Sequence, residues 1–221
     1  MTRGYGQYCG VARALDVVGG RWALLVVRDL LTGPKRFGEL QEGLPGIPTN
    51  VLTSRLRELE EAGIVQRQVQ DRPGGGVVYA LTEYGLELEG VVLQLGFWGA
   101  KGLRGPEKGD FISMDSLALA LRGAFHPENA RGTHRVYELR IGGKSLRIAV
   151  KGGKASIPAS SSQEPDVVIE TAPGVMSELL TGSTDIDAEI SSGRMCLEGD
   201  HVDAERLFEM FRFPSTEDAR V

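Results

Sequence analysis

Asn50, Ser54, Arg57 and Glu61 recur at intervals of three or four in the stretch TNVLTSRLRELEE, with Thr53 beside them. On a helix that spacing gathers them into one stripe, while Leu56 and Leu59 fall within about 40 degrees of Leu52 on the other side. The leucine stripe is the buried one. The polar stripe presents short donors and acceptors and a single guanidinium. Such groups match the edges of base pairs: an amide can pair bidentately with adenine, a guanidinium with guanine, and a helix fits the major groove. Taken alone, the same stripe is the solvated face of any surface helix, so the elements around it must decide.

No other residues assemble into a catalytic or metal-ligating set. His126, His134 and His201 lack metal-ligand spacing, and no nucleophile elbow is present. Gly142-Gly143-Lys144 and Gly152-Gly153-Lys154 fit strand turns better than a phosphate loop. An enzyme is therefore not expected, nor a cofactor or a bound metal. Cys9 and Cys196 lie far apart and make neither a disulfide framework nor a zinc-ligand set. Cys196, within an apolar strand, reads as a core residue.

The elements that must position the polar stripe follow from periodicity and turn residues. Ala12 to Leu31 reads as two short helices broken at Gly19-Gly20. Gly33-Pro34 ends the second, and Phe37 begins a third that stops before Leu44-Pro45-Gly46. The helix from about Thr49 comes next. Ile64–Gln70 and Val77–Leu81 read as the strands of a hairpin whose tip is Asp71-Arg72-Pro73-Gly74-Gly75-Gly76. Thr82-Glu83 offers a helix start, and one long apolar helix is expected through Trp98, its stripe pointing to a partner chain. Helix, short helix, tight turn, amphipathic helix and hairpin form a winged helix-turn-helix arrangement. Lys35 and Arg36, at the opening of the supporting helix, and Arg67 and Arg72, on the hairpin, are placed to meet phosphates.

Length and charge agree with two parts. At 221 residues and 41% hydrophobic composition, the chain can build two small domains. Up to Gly105 it carries 12 basic against 11 acidic residues, and 13 against 19 beyond, so positive charge for nucleic acid must be gathered locally. No apolar run approaches a membrane span, and the start lacks a signal-peptide stretch. A cytoplasmic protein without membrane association is expected. Residues 105–113, rich in Gly, Lys, Pro and Glu, read as a linker between a domain of residues 1–104 and one of residues 114–221.

The first domain resembles the HxlR family of bacterial winged-helix regulators. The likeness is carried by Cys9-Gly10-Val11-Ala12, Leu15 to Trp22, Gly33 to Leu40, Leu52 to Val65 and Tyr79 to Gly85. It implies a homodimer formed through the helix of residues 83–98 and a double-stranded DNA operator as partner. It implies Thr49, Asn50, Thr53, Ser54 and Arg57 as base-reading residues, and Lys35, Arg36, Arg67 and Arg72 as phosphate contacts. Two departures stand out: Pro48-Thr49 replaces the usual Ser-Pro, and Asn50 and Ser54 stand where the family commonly has a basic residue. Cys9 matches a cysteine through which some such regulators sense oxidants, a role that requires a thiolate. The alternative is a small packing residue.

Beyond the linker the chain reads as α+β: a helix at Asp115–Phe125, a meander of strands (about Arg135–Ile141, Ser145–Lys151, Lys154–Pro158, Asp166–Thr171), helical segments at Pro173–Leu180 and Asp185–Ser191, a strand at Met195–Glu198 and a closing helix at His201–Phe211. The element order, with Asp166 to Glu170, Leu179 to Gly182 and Ser192 to Asp200, resembles the sterol carrier protein fold. That resemblance implies an apolar pocket for a fatty acid, acyl-CoA or sterol-like molecule. Met176, Leu179, Leu180, Leu207, Phe208, Met210 and Phe211 are its candidate lining, and core packing is their alternative role. The expected function is a transcriptional regulator modulated by an apolar ligand. The competing one is a lipid or small-molecule carrier or sensor with weak or no DNA binding.

Overall fold

Glycine and proline punctuation sets the order of helices in the first part of the chain. The structure, a computed structural model, describes residues 4–70, 76–102, 111, 113–158 and 162–213. Helices α1 (Gly10–Val18) and α2 (Ala23–Leu30) flank Gly19-Gly20-Arg21-Trp22, α3 (Phe37–Gly43) follows Gly33-Pro34, and α4 (Thr49–Glu61) follows Leu44-Pro45-Gly46. Gly46 adopts a φ of +82°, a left-handed value that a side chain would resist, which lets the chain reverse between α3 and α4. Their apolar faces close one core, in which Val26, Val27, Leu30, Leu40, Leu44, Leu52, Leu56 and Leu59 are buried.

Strands β1 (Val65–Val69) and β2 (Val77–Leu81) pair antiparallel, Val65 opposite Leu81 and Val69 opposite Val77. After its first residue β1 is exposed throughout, whereas β2 buries Val78, Ala80 and Leu81, so β1 is the outer strand of the wing. Its tip, Arg72 included, lies outside the described residues. The single helix expected after the wing is two: α5 (Glu83–Leu86) and α6 (Leu88–Ala100). Thr82 caps α5 by accepting a hydrogen bond from the Gly85 amide at 3.0 Å, and its hydroxyl donates to the Gly63 carbonyl at 2.6 Å. That double anchorage fixes α5 against the start of the wing, whereas α6 buries no residue within the chain.

The chain divides into two compact units between Gln94 and Leu95. In the second unit, α7 (Met114–Gly123) precedes β3 (His134–Ile141), β4 (Lys144–Lys151), β5 (Lys154–Ser156) and β6 (Val167–Thr171). Then come α8 (Pro173–Thr181), α9 (Ile186–Ser191), β7 (Met195–Glu198) and α10 (His201–Met210). The sheet order is β5-β4-β3-β6-β7. Only β3 to β5 form the expected meander: β6 crosses over to lie parallel to β3, Tyr137 opposite Val167. The crossover is needed because β4 and β5 already occupy one side of β3.

Strand alternation sends Tyr137, Leu139, Ile141, Leu146, Ile148, Val150, Val167 and Ile169 into the core. The same alternation corrects the reading of Cys196. It is exposed, on the edge strand β7, between Met195, which is buried, and Leu197, which packs against the core. Caps hold the late helices: Asp185 accepts from the Ala188 amide at 2.8 Å and Asp200 from the Asp203 amide at 3.0 Å. Gly199 must be glycine, because a Cβ there would sit 2.4 Å from the Asp166 carbonyl oxygen.

Candidate nucleic-acid interface

Helix α4 buries Leu52, Leu56 and Leu59 and leaves Thr49, Asn50, Thr53, Ser54 and Arg57 exposed. Its first turn is joined to α3 by the Gln41 amide, which donates to the Thr49 hydroxyl at 2.8 Å. This ties α3 to the first turn of α4. Thr53 turns its hydroxyl back to the Thr49 carbonyl at 2.9 Å. Asn50 is paired with no described residue, so its amide keeps both donor and acceptor for an outside partner.

The two arginines of α4 have different tasks. Arg55 lies inward: its Nε donates to the Arg21 carbonyl at 3.0 Å, its guanidinium packs against Gly20, and it also pairs with Glu58. A Cβ on Gly20 would come within 2.9 Å of the Arg55 guanidinium carbon, so that glycine makes room for the arginine. Arg55 therefore ties α4 to the turn between α1 and α2. Arg57 faces out, 75% exposed, its Nε donating to Glu61 at 2.8 Å. That hydrogen bond, with the charge of Glu61, raises the Arg57 pKa above its ordinary value.

The cations expected to meet phosphates are arranged less simply. Lys35 does not open α3; it forms an isolated bridge with β2, its amide donating to the Tyr79 carbonyl at 2.9 Å and its carbonyl accepting from the Tyr79 amide at 2.8 Å. Lys35 thereby extends the Arg67–Tyr79 rung of the wing to a third segment. Arg36 precedes α3 as its exposed N-cap residue, but its amide is taken by the Glu39 carboxylate at 2.6 Å, so that amide is not free for phosphate. Arg67 lies opposite Tyr79 in the wing, its guanidinium 5.7 Å from the ring centroid, and pairs with Glu60 at 3.2 Å. Lys35, Tyr79 and Arg67 thus share one rung across three segments. Sequence patterning singled out neither Tyr79 nor Gln41, since both act through pairing partners distant along the chain.

Cys9 is exposed at the N-cap position of α1. Backbone amides of Ala12 and Val11 hold its thiol below the ordinary cysteine pKa, because they hydrogen-bond the thiolate.

In the second unit, the candidate pocket residues converge on the core. Met176, Leu179, Leu180, Leu207, Met210 and Phe211 are buried there, and Phe208 packs against them. The Phe211 ring lies 5.1 Å from that of Phe125. Tyr137 sits in the same core with a hydroxyl that finds no hydrogen-bond partner among the described residues, and burial pushes its pKa up to about 12. A separate surface concavity of about 500 Å³ is lined by Pro127, Glu128, Arg131, Gly132, Gly152 and Gly153, none of them a candidate pocket residue. No described helix is long and apolar enough to cross a membrane.

The two units match two different families. The model of the HxlR-like helix-turn-helix family matches residues 17–105, and that of the SCP-2 sterol transfer family matches residues 120–212. The uncharacterized HTH-type transcriptional regulator YdeP of Bacillus subtilis (strain 168) is 41% identical over 93 residues, 42% of this chain and 73% of its own. YybR of the same organism, described in the same words, is 44% identical over 91 residues, 41% of this chain and 73% of its own. Among solved structures, the redox regulator HypR in its oxidized form is 42% identical, with 43% of this chain and 98% of that one covered and a TM-score of 0.41. The chain belongs to the HxlR-like helix-turn-helix family of transcriptional regulators, and its residues 120–212 match the SCP-2 sterol transfer family.

Proposed function

We propose that the protein regulates transcription as a homodimer that inserts α4 into the major groove of an operator and responds to an apolar molecule held by its C-terminal domain. The reading assigns residues 1–104 to DNA binding and dimerisation, 105–113 to a linker and 114–221 to the ligand. The observation that carries it is the outer face of α4: uncharged donors and acceptors through Thr53 and Ser54, then one outward guanidinium, on a helix fixed to its support by Gln41. Lys35, Arg36, Arg67 and Arg72 serve as phosphate contacts that position the helix without reading sequence.

Apolar residues on α1 and α6 support the dimer: Val11, Leu15, Val91, Leu95 and Trp98 are exposed in the single chain. The ligand role is supported by the SCP-2 match and by the buried, unpaired Tyr137 hydroxyl, since apolar sites combine a greasy lining with a few polar points. A ligand that prefers one arrangement of the dimer shifts its population and so its DNA affinity.

Binding of the purified protein to its own upstream DNA, titrated with salt and with fatty acids, acyl-CoAs and sterols, tests the reading. Sequence-specific binding that one apolar ligand changes is the expected result. Binding of ligand without specific DNA binding would instead establish the carrier or sensor, a reading favoured by the carboxylate partners of Arg57 and Arg67. At the operator, Arg57→Ala and Asn50→Ala each lower affinity by about 1–3 kcal/mol and relax specificity at one base pair. Wild-type binding curves for both variants would remove these residues from base reading.

Cys9 is proposed as an oxidant-sensitive group on the strength of its exposed N-cap position and lowered pKa. Lowering the pKa in the folded state enlarges the thiolate fraction at neutral pH, so Cys9 is alkylated faster in the folded protein than in denaturant. Its pH–rate midpoint lies below that of the denatured chain. Equal rates in both states, or oxidant-dependent release from DNA that persists in Cys9→Ser, would leave Cys9 without a sensing role.

A further inference from the structure

Arg57 carries five N–H donors on a long, flexible stem, and such a side chain loses conformational freedom when it is fixed on a base. The protein fixes it in advance. Glu61, one turn further along α4, accepts from Nε at 2.8 Å, and the guanidinium's two terminal nitrogens make no other hydrogen bond among the described residues. Holding the guanidinium by Nε leaves its terminal edge free, and that edge matches the two acceptors, O6 and N7, that guanine presents in the major groove. We infer that Glu61 is a positioning residue for sequence readout, clamping Arg57 so that it addresses guanine rather than a phosphate. This rests on α4 being the reading helix.

Two features of the helix favour this over an ordinary surface ion pair. Arg55, the only other arginine of α4, is spent on the Arg21 carbonyl, so Arg57 is the one guanidinium on the exposed face. The carboxylates also cluster towards the C-terminal end of α4, at Glu58, Glu60 and Glu61, leaving its first turn without charge. Near DNA, a carboxylate repels every phosphate alike, so Glu61 weakens binding to any sequence. By orienting Arg57 it favours only sequences with guanine at the contacted position. The two effects have opposite consequences for specific and non-specific DNA, which separates positioning from charge.

The test compares wild type, Glu61→Gln, Arg57→Ala and the double variant on the upstream site, on the same site with the contacted guanine replaced, and on unrelated duplex. Glu61→Gln is expected to bind unrelated duplex at least as tightly as wild type while preference for guanine falls about two- to tenfold, the range set by immobilising one long side chain. In the Arg57→Ala background the Glu61→Gln change should leave guanine preference unaltered, since the residue acts through Arg57. If Glu61→Gln tightens all three DNAs by the same factor, Glu61 is only a repelling charge and the inference fails while α4 remains the reader. If wild type shows no preference among the three duplexes, the reading of α4 itself fails. Circular dichroism of each variant checks that the helix is intact.

Discussion

Leu95→Glu converts the protein to a monomer in sedimentation and lowers its affinity for a two-half-site operator by about 10²–10⁴-fold, the factor that linking two recognition modules contributes. The argument starts from α6, an apolar helix whose sequence LEGVVLQLGFWGA has one charged residue and buries none of its members within the chain. Val91, Leu95 and Trp98 follow one another at four and three residues, hence on one face, and are 56%, 47% and 71% exposed. A stripe of that kind left in water is unfavourable by roughly 25 cal/mol for each Å² that a partner could cover. A carboxylate at its centre would be desolvated in the interface without a counter-charge, whereas in the monomer Leu95 already meets solvent and the substitution costs little. The variant therefore keeps its fold and loses its partner. Dimers that persist at micromolar concentration, or unchanged operator binding by a monomer, would place the dimer contact elsewhere.

Gly85→Ala destabilises the N-terminal unit by about 3 kcal/mol or more, at the upper end of the usual cost of overpacking. A Cβ at Gly85 would lie 2.2 Å from the Ile64 carbonyl oxygen and 3.2 Å from its Cγ2. The obstruction is backbone, so no rotamer change can relieve it; α5 would have to lift from the start of the wing. Doing so would also pull Thr82 from the Gly63 carbonyl and from the Gly85 amide. Gly38→Ala is the control: it sits in α3 with nothing within 4 Å of its would-be Cβ, so alanine there stabilises by up to about 1 kcal/mol through helix propensity. Trp22 lies in the N-terminal unit and Trp98 beyond it, so denaturant unfolding followed by tryptophan fluorescence in a Trp98→Phe background reports on the N-terminal unit. An unchanged midpoint for Gly85→Ala would mean that α5 is not seated as described.

Much of this architecture is local in origin. Leu52, Leu56 and Leu59 specify the buried side of α4 because helical periodicity alone aligns them, and the exposed stripe follows as the remainder. Gly19-Gly20, Gly33-Pro34 and Leu44-Pro45-Gly46 separate the helices because their backbone preferences end helices wherever they occur. Met195–Glu198 was legible as a strand for the same reason, but which of its residues turn inward was not. Cys196 looked apolar by company; its exposure depends on β7 being an edge strand and on which face of the sheet the helices cover.

The sequence by itself determined the order of helices and strands, apart from the split of α5 from α6, and with it the two-part organisation and the polar face of α4, all consequences of spacing along one element and of composition. Tertiary structure alone decided that Lys35 joins Tyr79 and Arg67 on one rung of the wing, that Arg55 turns inward to Arg21, and that β6 crosses to lie beside β3. Those outcomes depend on pairing between residues distant in sequence, where register and packing rather than local preference set which side chains meet.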